Sequence, residues 1–429
     1  MRVLVVGSGG REHALAWKLK QSPQVSELFV TLGNGGTSLV ATNLPCDVTD
    51  NAAVVALAEA HAIDFVVVGA DAQVVQGLGD AVREAGIGCF CPSKAAGQLE
   101  GSKAFTKALC DEMGIPTAAY RKFEAEGPAL AYVRGHAMPI VIKADGLALG
   151  KGVTVAVTLD EAEEAIHDCF DGAFGASGAS VVIEDFLEGE EVSFFVLCDG
   201  DSILPLATAQ DHKRAFDGDM GPNTGGMGAY SPAPVMTPEL IAQTIREIIE
   251  PTVRGMQARG MPYQGVLFAG VMLTTTGPQL IEYNARFGDP ETQVLMLRLK
   301  SDLLPLLMAT ANGTLAGMIA EWRDESAITV AIATKGYPGS YGKGSEIRGV
   351  DGLDTDDLIV FHAGTKRDGD RLLANGGRVL NVTALGSSVA AAKERADRAI
   401  AGIDWPEGFH RNDIGWRAIQ RERNAHLDD

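Results

Sequence analysis

The chain has 429 residues, too long for a single core; at roughly 150 residues per domain, about three domains are expected. With 46% hydrophobic and 21% charged residues, it is neither disordered nor fibrous. Its 36 basic and 56 acidic residues leave a formal charge of −20, which argues against non-specific wrapping of nucleic acid but leaves room for local phosphate sites. In chain order, residues 3–6, 28–31 and 65–68 read as short buried strands. Helical patterns at 11–20, 52–61 and 74–85 alternate with them. This is a βα repeat with a parallel sheet, and ligands should sit at the C-terminal ends of its strands. A helix over 102–114 follows, then strands at 139–143 and 153–157 joined by a glycine loop, a helix at 159–170 and a strand at 180–183. Two strands and a glycine loop backed by a helix suit a small mobile lid. Residues 205–234 are polar, glycine-rich and poor in regular elements, which reads as a functional loop. A long helix at 238–259, a hairpin of 265–274 with 279–283, and a helix at 302–308 come next. Strands at 328–333, 358–361 and 379–385, a helix at 390–400 and a fraying tail from 421 close the chain.

The six cysteines form no CxxC pair and read as reduced, buried thiols. No apolar run reaches the roughly 18 residues of a membrane helix. The opening strand runs straight into a glycine turn, unlike a signal peptide. A cytoplasmic location with no membrane partner is expected.

Four regions carry chemistry. The turn Gly7-Ser8-Gly9-Gly10 lies between a strand and a helix, where backbone N–H groups can meet an anion; a merely tight turn is the alternative. A dinucleotide cofactor does not fit, because Glu12 stands where the fingerprint needs its last glycine. Lys143 closes an apolar strand and precedes Gly146, Gly150, Lys151 and Gly152. The spacing is not that of a P-loop, but such a loop can fold over polyphosphate, with Lys143 and Lys103 matching its charge. A solvated hairpin is the plainer reading. Glu282 and Asn284 alternate on one strand, so both should face one side and could ligate Mg²⁺. Arg286 and Asp289 follow within a turn, and Arg286 could grip a carboxylate or phosphate. The run Asp211-His212-Lys213-Arg214 mixes both signs and suits a zwitterion beside phosphate, with a local salt-bridge network as the alternative. No HExxH, EF-hand or G-x-S-x-G pattern is present.

Together these segments resemble the phosphoribosylamine–glycine ligases, or glycinamide ribonucleotide synthetases, of the ATP-grasp superfamily. The resemblance rests on Gly7-Ser8-Gly9-Gly10-Arg11-Glu12-His13-Ala14, Leu99-Glu100-Gly101-Ser102-Lys103, Lys143-Ala144-Asp145-Gly146, Gln210-Asp211-His212-Lys213-Arg214 and Gly225-Gly226-Met227-Gly228. It also rests on Glu282-Tyr283-Asn284-Ala285-Arg286-Phe287-Gly288-Asp289-Pro290-Glu291, Gly336-Tyr337-Pro338 and His362-Ala363-Gly364-Thr365, so it spans essentially the whole chain.

The resemblance implies an α/β and α+β multidomain fold. Residues 1–101 would form a parallel βα domain for phosphoribosylamine. Residues 102–325 would form the ATP-grasp core, with a mobile lid at about 120–190, and 326–425 a small strand-rich C-terminal domain. It implies ligation of glycine to phosphoribosylamine through glycyl phosphate, with ATP and Mg²⁺, Mn²⁺ being the alternative ion. Lys103, Lys143 and Lys151 would serve the nucleotide phosphates. Glu184 and Glu191 would hold adenine and ribose, with Phe186 and Leu187 reading the adenine edge. Glu282 and Asn284 would be the metal ligands. Asp211, Lys213 and Arg286 would form the catalytic set, Asp211 and Arg286 holding glycine. Gly9, Gly10, Asp71 and Asp289 would serve the amine substrate. One departure stands out: Gly69-Ala70-Asp71 replaces the family's usual Gly-Pro-Glu, shortening the carboxylate arm by one methylene. A monomer is expected, with a dimer as the alternative. A ligase for another amino acid, or a nucleotide-binding protein without turnover, are the rival readings.

Overall fold

The computed structural model describes residues 1–147, 152–173 and 180–428. Lys151 and Gly150, two members of the expected glycine loop, lie outside the described residues. The first five strands are β1 (Arg2–Gly7), β2 (Glu27–Leu32), β3 (Thr42–Leu44), β4 (Phe65–Val68) and β5 (Gly88–Phe90). They form one sheet in the order β3-β2-β1-β4-β5, with every neighbouring pair parallel. Burial of the central strands on both faces explains their unbroken apolar runs, such as Phe65–Val68. The strand order reverses at β1 and β4, which opens a crevice beyond their C-terminal ends. Helix α1 (Gly10–Leu19) starts in that crevice. The helical pattern at 74–85 is two helices, Asp71–Gln76 and Leu78–Glu84, because Gly77 adopts φ 87° between them.

A second, four-stranded sheet has the order Ile203–Pro205, Glu190–Asp199, Gln264–Thr274, Gly277–Asn284. Its last two strands are the expected hairpin. The segment expected to form a lid contains an antiparallel sheet of Tyr120–Phe123, Val181–Asp185, Ile140–Ala144 and Val153–Ala156. Helices Glu126–Arg134 and Leu159–Phe170 back it, the latter begun by a Thr158/Glu161 capping box. This unit has a core of its own around Ile140, Ile142, Ile166 and Ile183. A further sheet is built on Ser326–Thr334, Arg378–Gly386 and Leu358–His362.

Some expectations need correction. The 205–234 segment is not bare loop: Gln210–Asp211 and Gly228–Ser231 are strands that extend the sheet of Ser326–Thr334. Each is too short to show a period, and Gly228–Ser231 also pairs with the distant Ser326–Thr334. The helix at 238–259 contains a π-turn at Ile245–Ile249, just before Pro251. The ten-residue strand Glu190–Asp199 and the wholly buried helix Glu291–Arg298 were missed. Burial on all sides erases the polar stripe that marks an amphipathic helix. The tail does not fray at residue 421. It is part of helix Trp416–Asp428, and Glu422 accepts hydrogen bonds from the N–H groups of Val389 and Ala390.

Candidate functional site

One cleft of about 640 Å³ lies between the lid sheet, the hairpin and the crevice of the first sheet. Its first wall carries lysines. Ser102 caps helix Lys103–Met113 by accepting from the Phe105 N–H. Lys103, the first residue of that helix, donates to the Gly146 carbonyl at 2.9 Å. Burial lowers its pKa, against the pull of Glu282. Lys143 ends its strand with its ammonium 2.9 Å from Glu184 and 3.2 Å from the Ile281 carbonyl. Glu184 also meets Lys107 at 3.0 Å, and all three side chains are at least 96% buried. Lys107 sits one helical turn beyond Lys103, a spacing that could have revealed it. Asp145 ties the glycine loop to this helix by accepting from Ser102 and from the Ala104 N–H. Phe186 and Leu187 follow the Glu184 strand and line the same cleft, with Phe186 exposed.

Glu282 and Asn284 face the cleft from Gly277–Asn284, and the intervening Tyr283 is buried. The register shifts between Gly270 and Val271, so Ile281 bulges and its carbonyl reaches Lys143. Among the described residues, no hydrogen-bond or ion-pair partner engages the Glu282 carboxylate. Burial opposes its charge, but Lys213, Lys143 and Lys103 hold its pKa below the usual range. Asn284 Oδ1 accepts from Arg286 at 3.0 Å and keeps a second lone pair. No cluster of three or more His, Cys, Asp or Glu is placed around a metal position among the described residues. Two oxygen donors beside lysines fit Mg²⁺, which retains waters and substrate phosphates, better than a closed all-protein cage.

Arg286 is oriented by Glu100, whose carboxylate lies 3.2 Å from its guanidinium and accepts from the Ala285 N–H at 2.8 Å. The buried Arg286 Nε has no hydrogen-bond partner among the described residues. Asp211 lines the same cleft. Burial pushes the Asp211 carboxyl up to about 8; Lys213 opposes the shift, while Glu291 and Glu191 add to it. Burial raises Glu291, with Asp289 adding to the shift and Arg286 and Lys213 opposing it. Lys213 is ion-paired with Glu191. Burial works against its charge, but Glu191, Asp211 and Glu282 raise its pKa well above the ordinary value.

The far end lies at the crevice of the first sheet. Asp71 begins the helix after β4, and Arg11 and Arg286 hold its pKa down despite burial. Arg378 approaches Asp289 at 3.4 Å and donates to the Gly225, Gly226 and Asp289 carbonyls. The glycine turn is less open than expected. Glu12 folds back so that its carboxylate accepts the Gly9 N–H at 2.6 Å. A Cβ on Gly10 would lie 2.5 Å from Gln293 and 2.6 Å from Asn381. Gly10 is therefore buried and Gly9 half-buried, while Arg11, Asp71 and Asp289 line the cleft. Asn34 braces the turn, donating to the Ser8 and His362 carbonyls at 2.9 and 2.8 Å.

The cleft thus gathers Asp71, Lys103, Lys143, Glu184, Phe186, Leu187, Glu191, Asp211, Lys213, Glu282, Asn284, Arg286 and Asp289. It adds Arg11, Glu100, Lys107, Glu291 and Arg378, to which sequence reasoning gave no role. Glu100 and Glu291 stood inside quoted motifs; Arg378 had no local signal.

Comparison with known proteins gives the same picture over the full length. Residues 1–100, 101–292 and 327–417 match the models of the N domain, the ATP-grasp (A) domain and the C domain of phosphoribosylglycinamide synthetase. A phosphoribosylamine–glycine ligase of Rhizobium meliloti is 61% identical over 422 residues, covering 98% of this chain and 100% of the relative. One from Salmonella typhimurium is 55% identical over 429 residues, with 99% and 100% covered. The crystal structure of a phosphoribosylamine–glycine ligase from Thermotoga maritima superposes with a TM-score of 0.84 at 31% identity, covering 96% of this chain and 100% of that one. A biotin carboxylase from Campylobacter jejuni shares the fold at a TM-score of 0.76 and 13% identity, covering 96% and 93%. The chain belongs to the phosphoribosylglycinamide synthetase family.

Proposed function

We propose that the protein joins glycine to 5-phospho-D-ribosylamine at the expense of ATP, giving glycinamide ribonucleotide, ADP and phosphate, a step of de novo purine biosynthesis. The observation that carries this reading is the convergence of Lys103, Lys143 and Lys213 with Asp211 and Arg286 in one cleft. A carboxylate resists direct attack by an amine because its oxygen is a poor leaving group. In the proposed route a glycine carboxylate oxygen attacks the γ-phosphorus and ADP leaves. The amine nitrogen then attacks the carbonyl carbon of glycyl phosphate. Phosphate departs with the original carboxylate oxygen, and the amine proton passes to phosphate and solvent. Such chemistry needs positioning and charge rather than a catalytic triad.

Asp211, giving up its proton as the cation arrives, takes the glycine ammonium, and Arg286 takes the glycine carboxylate. Lys103, Lys143 and Lys213 draw the polyphosphate to the glycine carboxylate, with Lys151 of the glycine loop completing the set. Glu184 and Glu191 serve the adenine and ribose end with Phe186 and Leu187. Glu184 also fixes the Lys143 ammonium. Mg²⁺, or Mn²⁺ in its place, held by Glu282 and Asn284 would neutralise phosphate charge. Asp71, Asp289 and the Gly9–Gly10 turn serve the phosphoribosylamine end. In this reading residues 1–101, 102–325 and 326–425 act as amine-substrate, ATP-grasp and C-terminal domains of a cytoplasmic monomer. Closure of the lid at about 120–190 keeps water from the acyl phosphate. No helix among the described residues is long and apolar enough to cross a membrane.

The test is ADP release in the presence of Mg²⁺, with phosphoribosylamine generated in the tube. Release that needs both glycine and the amine, with glycinamide ribonucleotide found by mass, is the expected result. ADP release supported by another amino acid but not by glycine would overturn the substrate assignment.

A further inference from the structure

The segment 411–421, which leads into and begins the terminal helix, clasps the back of the cleft segment 210–221. Arg411 is fully buried. Its guanidinium binds Asp413 through Nε at 2.7 Å and through Nη2 at 2.8 Å. It also binds Asp219 at 2.9 Å and the Arg214 carbonyl at 3.1 Å. Asp413 in turn accepts from the Gly218 N–H at 2.8 Å. Asn412 donates its backbone and side-chain N–H groups to Asp217 at 2.7 and 2.8 Å. The Gly415 N–H donates to His212 Nε2 at 3.1 Å, and His212 is the residue between Asp211 and Lys213. Arg417 meets Asp219 at 2.8 Å, and Arg421 pairs with Glu190, the neighbour of the Glu191 that binds Lys213. Every residue from Asp211 to Arg214 is therefore either in the cleft or held from behind by this segment.

We propose that residues 411–421 form a positioning clamp, centred on Arg411, that fixes Asp211 and Lys213 at the angle glycine and the transferring phosphoryl group require. None of the clamp side chains lines the cleft, so their effect is exerted through the Arg214 carbonyl, the Gly218 N–H, the side chains of His212, Asp217 and Asp219, and Glu190. The planar fork of Arg411 reaches Asp413, Asp219 and a carbonyl together, an arrangement a lysine ammonium cannot reproduce. The inference rests on the functional reading of Asp211 and Lys213.

The experiment compares the wild-type enzyme with Arg411→Lys, the double variant Arg417→Ala/Arg421→Ala and Asp211→Ala, with kcat and the KM for glycine and ATP measured separately. Asp50→Ala serves as a stability control: it loses the cap of helix Asn51–Ala60 and touches neither the cleft nor the clamp. Arg411→Lys is expected to lower kcat about 30-fold and to raise glycine KM, and the double variant to lower kcat about fivefold. Asp50→Ala is expected to lose thermal stability with kcat and both KM values unchanged. The double variant changes partly exposed side chains and keeps the test decisive if Arg411→Lys does not fold. A folded double variant, or a folded Arg411→Lys, with wild-type kcat and glycine KM would overturn the clamp. Loss of turnover in Asp211→Ala without loss in the clamp variants overturns the clamp alone. Retained turnover in Asp211→Ala overturns the functional reading and the clamp with it.

Discussion

The lysine wall of the cleft and the wall around Asp71, Asp289 and Arg378 are supported in different ways. Lys143 and its partner Glu184 stand on the lid sheet, which has its own small core. The opposite wall stands where cores merge: Val3 and Val5 of the first sheet, Val294 and Leu297 of the buried helix, and Phe361 and Leu385 of the last sheet share one cluster. The first arrangement permits a moving wall; the second fixes Asp71, Asp289 and Arg378 against one another. A ligase that must exclude water from an acyl phosphate needs one wall of each kind.

The comparison is broken most severely at the junction of the walls. Glu282→Ala is expected to lower kcat by about 10³-fold or more at saturating ATP and Mg²⁺, measured by ADP release. Near-normal turnover would remove Glu282 from the metal role. Lys143→Ala acts on the lid wall. It should reduce kcat/KM for ATP by about 10²-fold and destabilise the protein by about 3 kcal/mol, because Glu184 loses one of two buried partners. Calorimetry and ATP kinetics check both; an unchanged KM and kcat for ATP would contradict the assignment.

Asp211→Asn tests the junction by pH. The unfolded Asp211 carboxyl ionises near about 3.9, whereas burial lets the folded one keep its proton to about 8. The folded state thus binds more protons between those values, and the stabilisation present below pH 3.9 is lost as pH rises through 8. The asparagine variant should be more stable than wild type at pH 8, with the advantage vanishing near pH 4; denaturant titration at the two pH values reads the difference. An equal difference at both would exclude the shift. The smallest effect is expected on the fixed wall: Asp71→Glu, which restores the family's longer arm, should change the KM for phosphoribosylamine about threefold and leave that for ATP alone. A change in ATP KM instead would place Asp71 at the wrong end.

Legibility in the sequence follows the same division. Lys143 with its glycines, and Glu282 with Asn284, lie within a few residues of one another, so strand period and loop chemistry were enough to mark them. The repeat of strand and helix in the first hundred residues was equally local. Glu100 reaches Ala285 across 185 positions, and Arg378 reaches Asp289 across 89. Neither spacing leaves a periodic trace. The turn pattern at Gly9 suggests an anion site or a tight turn, but it does not show that Glu12 folds back onto the Gly9 N–H. The strand at 228–231 escaped for a related reason, since its partner is Ser326–Thr334, and the two residues of 210–211 are too few to show a period.

The central claim is that the glycine carboxylate is phosphorylated before the amide forms. The direct test is turnover with glycine labelled with ¹⁸O in both carboxylate oxygens, followed by mass analysis of the phosphate released. The account predicts one ¹⁸O atom in each phosphate. Phosphate free of label, formed alongside glycinamide ribonucleotide, would contradict it.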